Sequence, residues 1–340
     1  MIVNALRFVA LALALALVPA LAKADPITLK LSFITSDRAS PYQCYVKPFV
    51  DAVNADGAGI VQIKVYFSGA INPDMTEQAQ LVLKDRADLA FVVPGYTPQQ
   101  FPDISVLELP GLFRNEREAG LVFERLAAVG ALEGYRRFFV VGAFVADETI
   151  HSRKPVASLA ELKGQTIRAN NQTIADTLRK LGAVPSILPI NQTMDALSQG
   201  KLDGVVVATS TMMEFGFGRL TNHHYLLPLG GAPISLVMNP EKLASLPPPA
   251  QEIIRKYSGA WLSERGALCF GAKDREIAAK LKADPRRTVA MPSPADLATA
   301  QKVFSSVVDA WEAQSPRHRE LLAPVRDELR KLRSPREDKK

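Results

Sequence analysis

The chain has 340 residues, of which 47% are hydrophobic and 22% are charged, and its formal net charge is +6. A chain of this length exceeds one ordinary hydrophobic core, so it predicts two domains. Nucleic-acid binding is excluded as the main function, because it needs a basic stripe with interleaved aromatic residues. The basic residues here are dispersed, apart from a tail at residues 326–340 that also carries acids.

The N-terminus has the three parts of a secretory signal peptide. Arg7 provides a positive charge, residues 8–21 form an apolar run, and the small-x-small sequence AKA occupies residues 22–24. This order predicts export to the periplasm, with cleavage near Ala24 and removal of residues 1–24. A membrane anchor is the alternative interpretation, but a full span needs about 20 apolar residues and this run is shorter.

The chain contains two cysteines, Cys44 and Cys269. In an oxidising compartment two cysteines are able to pair, which favours a disulfide. The two residues are far apart in sequence, and each falls in an amphipathic helical stretch. Two separate buried thiols are therefore equally consistent with the pattern, and both alternatives stay open.

The first part of the mature chain alternates between strand and helix patterns. Apolar residues at every second position predict strands at 27–33 and 61–67, and a short apolar run predicts a third strand at 89–93. Helical spacing of apolar residues predicts helices at 41–53 and 75–83. Strands connected through helices are typical of a mostly parallel sheet with right-handed crossovers.

A second unit repeats this order. Its short apolar runs predict four strands, at 138–144, 166–168, 186–188 and 205–207. Capping residues predict the starts of the helices between them, at Ser158, Thr173 and Asn191. Gly182 and Gly200 follow two of these helices, as glycines that end helices commonly do. The sequence therefore predicts α/β architecture twice.

The last third of the chain has a different pattern. It predicts one strand at 234–238, a long helix at 250–283 and a further amphipathic helix at 295–312. The long helix exceeds the size of one small domain, so we expect it to span both lobes. We also expect several chain crossings, which form a hinge with a cleft between the lobes.

These elements together predict an α/β fold with two lobes. We assign residues 25–144 and 233–272 to lobe I, residues 145–232 and 273–330 to lobe II, and residues 331–340 to a flexible tail. Open α/β sheets bind ligands beside the carboxyl ends of their strands, so the cleft is the expected site.

No constellation of reactive residues indicates an enzyme. The chain has four histidines, and the adjacent pair His223 and His224 would face opposite ways in an extended strand, which is poor geometry for one metal ion. Gly-x-Ser-x-Gly, Cys-x-x-Cys and phosphate-binding glycine motifs do not occur in the sequence. The glycine-spaced residues 215–218 are interpreted as a turn. We therefore expect a protein without catalytic residues, metal or cofactor.

One polar residue is a candidate for ligand binding. Arg168 ends a short predicted strand and precedes a predicted helix, so it lies where α/β proteins place their ligands. Its planar guanidinium is able to bind a carboxylate through two parallel hydrogen bonds. A salt bridge on the domain surface is the alternative role.

Several motifs resemble those of the substrate-binding subunit of tripartite ATP-independent periplasmic (TRAP) transporters. In lobe II they are LKGQTIR at 162–168, LGA at 181–183 followed by Pro185, ALSQG at 196–200 and LDG at 202–204. Elsewhere they are DLA at 88–90, LPGLF at 109–113, and TNH at 221–223 followed by Tyr225. Their order and spacing agree with the family over nearly all of the mature chain.

The resemblance implies a periplasmic binding protein fold with two α/β lobes, a long helix that spans both, and a cleft that closes on a carboxylate. In this family the arginine after Gly-x-x-Ile pairs with the ligand carboxylate. Arg168 occupies that position, so the resemblance implies that it binds the ligand.

Other pocket positions depart from the family pattern. The family usually has an asparagine where this chain has Val207, an aromatic residue near Ile190, and a polar residue at Val93. It often has a second arginine where counting back from Pro155 gives Asp147. Three further polar residues could refill the pocket: Ser36, Asn72 and Asn191. A pocket with these losses favours a monocarboxylate that has an apolar or aromatic body.

The sequence thus predicts a monomeric periplasmic receptor that captures a small organic acid and delivers it to the membrane permease of a TRAP transporter. A sensor or scavenger protein on the same fold is a second hypothesis, and adjacency to two permease genes would discriminate between them. A periplasmic enzyme is a third hypothesis, which predicts turnover of the bound ligand.

Overall fold

The computed structural model describes residues 25–334 and contains two β-sheets with helices around them. The predicted signal peptide therefore lies outside the described residues. The strands are β1 (Ile27–Ser32), β2 (Val61–Tyr66), β3 (Leu89–Val92), β4 (Phe139–Asp147), β5 (Thr149–Ser152), β6 (Thr166–Ala169), β7 (Val184–Ile187), β8 (Gly204–Val207), β9 (His223–Tyr225), β10 (Gly231–Met238) and β11 (Thr288–Ala290).

Eleven α-helices are found within the described range. They are α1 (Lys47–Asp56), α2 (Gln78–Leu83), α3 (Glu116–Ala128), α4 (Gln172–Lys180), α5 (Ile190–Ser198), α6 (Thr209–Glu214), α7 (Pro240–Ser245), α8 (Pro248–Lys256), α9 (Ala260–Ala283), α10 (Pro294–Ala313) and α11 (Pro316–Arg333). A single π-helical turn, Tyr42–Val46, precedes α1.

The first sheet has the strand order β2-β1-β3-β10-β4. The alternating apolar residues of β1 are buried at Leu29 and Leu31, while Lys30 between them is exposed, as the period of two predicts. Strands β1, β2 and β3 are parallel, whereas β10 returns from the other lobe and pairs antiparallel with both β3 and β4. The chain therefore leaves this lobe after β4 and re-enters it through β10.

The second sheet has the strand order β11-β9-β5-β8-β6-β7. Strands β8, β6 and β7 are parallel, and the antiparallel strand β5 joins them to β9 and β11. A single residue, Glu148, separates β4 of the first sheet from β5 of the second. With two sheets and helices on both, the two-lobed α/β fold predicted from the sequence is confirmed.

The predicted helix at 250–283 is two helices, α8 and α9, and not one. The break falls at Gly259, which has φ of +65°, a value that glycine adopts without steric cost. The amide of Gly259 donates a hydrogen bond of 2.7 Å to the Val141 carbonyl of β4, which turns the chain onto the first sheet. Helix α9 then packs against β4 at Leu262 and reaches the core of the second lobe at Leu281.

The C-terminal helix belongs with the first lobe, in contrast to the assignment of residues 273–330 to lobe II. Helix α10 packs on α4 of the second lobe, but α11 packs on α3 of the first. The apolar side chains of α11, such as Leu322, enter the core around α3, and Arg333 bonds Glu118 on α3 at 2.7 Å. The chain is thus helical to Arg333, three residues into the predicted tail, and residues 335–340 lie outside the described range.

The two cysteines form a disulfide, which decides between the alternatives that the sequence left open. Cys44 in the π-helical turn and Cys269 in α9 are bonded, with their Cα atoms 5.3 Å apart. A crosslink between residues this distant in sequence stabilises a folded protein typically by about 2–4 kcal/mol. It fastens α9 to the first lobe and leaves the second lobe without a covalent tie of this kind within residues 25–334.

None of the helices in residues 25–334 combines the length and the apolar character that crossing a membrane requires.

Candidate functional site

A small cavity lies between the two sheets, with walls from both lobes. Its volume is about 70 Å³. The first lobe contributes residues near the ends of β1, β3, β4 and β10: Ile34, Thr35, Phe91, Val93, Tyr96, Ala146, Ala232 and Ile234. The second lobe contributes residues of β6, β8, α5 and α6: Arg168, Asn170, Ile190, Val207, Ala208, Thr211 and Glu214. This is the location at which open α/β sheets bind ligands.

Arg168 is the positive charge of this cavity. It lies on β6 and is 1% exposed, and its guanidinium donates to the Leu188 carbonyl at 2.9 Å, the Val206 carbonyl at 3.3 Å and the Tyr96 hydroxyl at 3.4 Å. No carboxylate within residues 25–334 forms an ion pair with it. An arginine has five N–H donors, so two remain for a ligand.

The apolar positions that the sequence singled out lie beside Arg168. Val93 follows β3, Val207 ends β8 and Ile190 begins α5, and all three line the cavity. Ile190 and Val207 are 5% and 4% exposed. The structure therefore brings together four of the predicted site residues, and three of these four offer a ligand only apolar surface.

Asp147 lies away from the cavity, and the acid that lines it is the next residue, Glu148. Side chains on an extended chain alternate between its two faces, so a count that is one residue off selects the opposite face. Asp147 lines a separate groove of about 360 Å³ together with Arg114 and Phe304. Glu148 is 2% exposed and faces the cavity from the turn between β4 and β5.

The other three polar candidates also lie outside the cavity. Asn191 is exposed on α5 and lines an open groove of about 860 Å³ between the lobes. Ser36 is exposed and borders a shallow depression on the surface. The side chain of Asn72 accepts a hydrogen bond from the backbone amide of Asp74, which occupies it locally. These three residues therefore do not supply polar groups to the cavity that contains Arg168.

Sequence reasoning missed six polar residues of the cavity: Thr35, Tyr96, Glu148, Asn170, Thr211 and Glu214. Asn170 comes directly after β6, two residues beyond Arg168, and this position at the end of a strand could have indicated a site residue. Glu214 accepts a hydrogen bond of 2.6 Å from the amide of Ser40, so it links α6 to the first lobe. Tyr96 belongs to a single turn of 3₁₀-helix, and the residues around it show no sequence pattern that indicates a ligand-binding role.

Two of the four histidines form a buried pair in the second sheet. Nδ1 of His151 on β5 and Nδ1 of His224 on β9 are 2.9 Å apart. Burial lowers the pKa of His151 to about 3 and the pKa of His224 to about 4. Both rings are therefore neutral at neutral pH, and the pair connects the two antiparallel strands.

Several carboxyl groups are buried where the lobes meet. Burial raises the pKa of Glu148 to about 8, against the opposing effect of Arg168, and it raises the pKa of Glu108 to about 8 with a further increase from Glu148. Burial and the nearby Asp147 likewise raise the pKa of Glu116 to about 8. At neutral pH these groups hold protons that they would release in an unfolded chain.

We predict that the ligand-free protein loses stability between pH 6.5 and pH 8.5. The unfolded chain releases these protons near the ordinary value of 4.5, so stability from the raised pKa values is complete below that pH and is lost as the pH rises through about 8. Each group contributes on the order of 1 kcal/mol per pH unit. The buried histidines change the free energy of unfolding only below pH 6.5, their ordinary pKa, so they do not contribute between pH 6.5 and pH 8.5.

Urea unfolding at pH 6.5 and 8.5 measures this loss. Glu148→Gln and Glu108→Gln should each flatten the pH dependence, while Glu252→Gln, at an exposed position, should leave it unchanged. A free energy of unfolding that stays constant or rises over the window would contradict the account.

Comparison with known proteins gives three kinds of similarity. Residues 34–314 match the family model described as "Bacterial extracellular solute-binding protein, family 7". The C4-dicarboxylate-binding protein DctB of Bacillus subtilis is 27% identical over 192 residues, which are 53% of this chain and 52% of that protein. The chain thus matches about half the length of that relative.

Two solved structures share the fold. One is a TRAP solute-binding protein from a marine metagenome, described as specific for aromatic acid ligands, in complex with metahydroxyphenylacetate; its TM-score is 0.82 at 24% identity, over 91% of this chain and all of that one. The other is a TRAP solute-binding protein from Rhodoferax ferrireducens in complex with benzoate, with a TM-score of 0.82 at 23% identity, over 90% and 98% of the two chains.

Proposed function

Since the chain belongs to family 7 of the bacterial extracellular solute-binding proteins, the family of TRAP transporter receptors, we propose that it captures a small monocarboxylic acid with an apolar or aromatic body. The proteins of this family are solute-binding receptors and not enzymes. The ligand carboxylate would bind the guanidinium of Arg168, and its body would lie against Val93, Ile190 and Val207.

The observation that carries this proposal is the unpaired guanidinium of Arg168 inside a largely apolar cavity. Burying a charge without a partner costs several kcal/mol, at least about 3–5 when a buried pair is broken. A carboxylate that enters the cavity removes that cost, because it accepts the two remaining N–H donors. The cavity therefore favours an anion over a neutral ligand.

The walls favour an apolar body over a polar one. A ligand hydroxyl that faces Val93, Val207 or Ile190 would lose its water without gaining a partner, at a cost of roughly 1–3 kcal/mol per group. The ligands of the two similar structures, metahydroxyphenylacetate and benzoate, combine one carboxylate with an aromatic ring. They support this class of ligand, whereas the name of the Bacillus relative supports a C4-dicarboxylate.

The two lobes are expected to close around the ligand. The cavity walls come from both lobes, and contacts such as Arg168 to Tyr96 and Ser40 to Glu214 connect them directly. A ligand that contacts both lobes favours the closed arrangement over the open one. We assign the hinge to the crossings of the chain at β4–β5 and β9–β10 and to helix α9, which contacts both sheets.

Closure predicts a smaller radius of gyration at saturating ligand. Small-angle scattering of the protein with and without an identified acid measures it. Identical scattering profiles at saturation would contradict closure on the ligand.

The closed form would then dock on the membrane permease of a TRAP transporter, with the receptor acting as a periplasmic monomer. A sensor or scavenger on the same fold remains the second candidate. Two adjacent permease genes in the genome favour the transporter, and their absence favours the sensor or scavenger.

A thermal-shift screen of organic acids tests the proposed function. A ligand that binds only the folded protein raises its melting temperature, because binding adds to the free energy of unfolding. We expect aryl and branched-chain monocarboxylic acids to raise it most. A screen in which no carboxylic acid raises the melting temperature would overturn the proposal.

A further inference from the structure

The cavity presents hydrogen-bond acceptors that no group of the protein satisfies. Oε2 of Glu148, Oδ1 of Asn170 and Oγ1 of Thr35 are buried and have no hydrogen-bond partner within residues 25–334. All three residues line the cavity that contains Arg168. Buried polar groups are almost always hydrogen-bonded in folded proteins, so three unpartnered acceptors in one small cavity indicate that a ligand donates to them.

Glu148 is held firmly in this position. Its amide donates to the Gly230 carbonyl at 3.2 Å, and its own carbonyl accepts from the Leu229 amide at 3.0 Å. Gly230 has φ of +130°, and a Cβ atom there would lie 2.4 Å from the Glu108 carbonyl oxygen, so only glycine allows this close approach. The carboxyl group is therefore placed by the backbone at the crossing between the lobes.

No lysine, arginine or histidine within residues 25–334 forms a salt bridge with Glu148. Arg168, Asp147 and Glu108 are the titratable groups that interact electrostatically with Glu148, and no ion pair with Glu148 forms within the described residues. The carboxyl accepts hydrogen bonds in either protonation state, because the protonated form retains acceptor capacity. A ligand with an O–H or N–H group would therefore find an acceptor that is already in position.

We propose that the natural ligand carries a hydrogen-bond donor, a hydroxyl or an ammonium group, that bonds to the carboxyl of Glu148 while its carboxylate bonds to Arg168. This inference rests on the proposed function, since it assumes that an organic acid occupies the cavity. It defines the substrate class more narrowly, as hydroxy or amino monocarboxylic acids with an otherwise apolar body.

The donor has a selective effect on binding. An acid without a donor leaves the oxygen of Glu148 buried and unpaired, and the bound complex retains that cost. An acid with a donor removes that cost, because a hydrogen bond in a low-dielectric site is electrostatically stronger than one in water. Glu148 thus acts in specificity, because it distinguishes acids that Arg168 alone would accept.

Calorimetric titration tests the proposal by comparing pairs of ligands, with and without a donor group, on the unchanged protein and on variants of Glu148. The two parent acids are benzoate and 3-phenylpropanoate. Their donor-bearing counterparts are 2-, 3- and 4-hydroxybenzoate for the first and phenylalanine for the second, and each differs from its parent by one donor group. Glu148→Met keeps an unbranched side chain but removes both oxygen acceptors. Glu148→Gln is the second variant, in case the first fails to fold, and the unchanged chain is the reference. Glu252→Met, at an exposed position, is the matched control.

We expect at least one donor-bearing acid to bind the unchanged protein about tenfold or more tightly than its parent acid. That advantage should vanish in Glu148→Met, shrink in Glu148→Gln and persist in Glu252→Met. A structural role of Glu148 would weaken parent and donor-bearing acids equally, so equal losses would overturn the inference. The inference would also be overturned if each parent acid bound the unchanged protein as tightly as its donor-bearing counterparts. That outcome would leave the proposed function intact. Binding of no acid in the series would overturn the proposed function itself.

Discussion

Replacing Arg168 by alanine should weaken binding of the carboxylate ligand by about 2–5 kcal/mol, which is roughly 30-fold to several-thousand-fold in the dissociation constant. The ligand carboxylate would remain in a cavity of apolar walls and acids, with its charge desolvated and unpaired. The acidic residues Glu148 and Glu214 line the same cavity, and neither supplies a positive charge in place of Arg168. Few single substitutions in this protein should have a larger effect on binding.

Arg168→Lys should also bind poorly, although it keeps the positive charge. The guanidinium is oriented by the carbonyls of Leu188 and Val206, and it presents its remaining donors as a planar fork. A lysine ammonium is a compact charge on a flexible chain and reproduces neither this orientation nor the paired hydrogen bonds.

Calorimetric titration of the two variants with an acid from the thermal-shift screen measures both effects. Arg179→Ala is the matched control, because Arg179 lies on neighbouring helix α4 with a side chain that is 59% exposed. The melting temperature of each ligand-free variant shows whether the fold is retained. Affinity near that of the unchanged protein in Arg168→Lys would contradict pairing through the guanidinium fork.

A C4-dicarboxylate should bind at least about 100-fold more weakly than an aromatic monocarboxylate. Its second carboxylate would lie against Val93, Val207 or Ile190, or beside the carboxyl group of Glu148. An unpaired buried charge costs about 3–5 kcal/mol, and each 1.4 kcal/mol corresponds to a factor of ten. The prediction opposes the ligand named for the Bacillus relative, with which this chain shares about half its length.

Titration with succinate and with the tighter of benzoate and 3-hydroxybenzoate measures this ratio under one set of conditions. Above pH 8, where the carboxyl group of Glu148 is ionised, Glu148→Gln should reduce the disadvantage of succinate, because it removes one source of repulsion. Glu252→Gln should leave the ratio unchanged. Succinate that binds as tightly as the aromatic acid would show that the cavity has a polar subsite for a second carboxylate.

The regular elements of the fold were predictable because their sequences follow simple periods. Strand β1 alternates buried and exposed residues, and the predicted start at Thr173 and stop at Gly182 lie within two residues of the ends of helix α4. The short strands β5 and β9 were not predicted because their sequences are largely polar. Their polar side chains are buried in the sheet, where His151 and His224 form a hydrogen bond with each other. No local pattern reveals a partner that is 73 residues away.

The site was predictable only in part, for a related reason. Arg168 was found because it ends a strand and matches a family motif, whereas Glu148 was missed by one position. A single extra residue at the turn between β4 and β5 exchanges the face that points into the cleft. Tyr96 enters the cavity through tertiary packing of a short turn, which sequence periodicity does not encode.

A crystal structure of the protein with a bound aromatic monocarboxylate tests the central claim most directly. We expect the ligand carboxylate within hydrogen-bonding distance of the Arg168 guanidinium, and the aromatic ring in contact with Val93, Ile190 and Val207. A ligand bound in the open groove beside Asn191, with the guanidinium of Arg168 free of it, would contradict the claim.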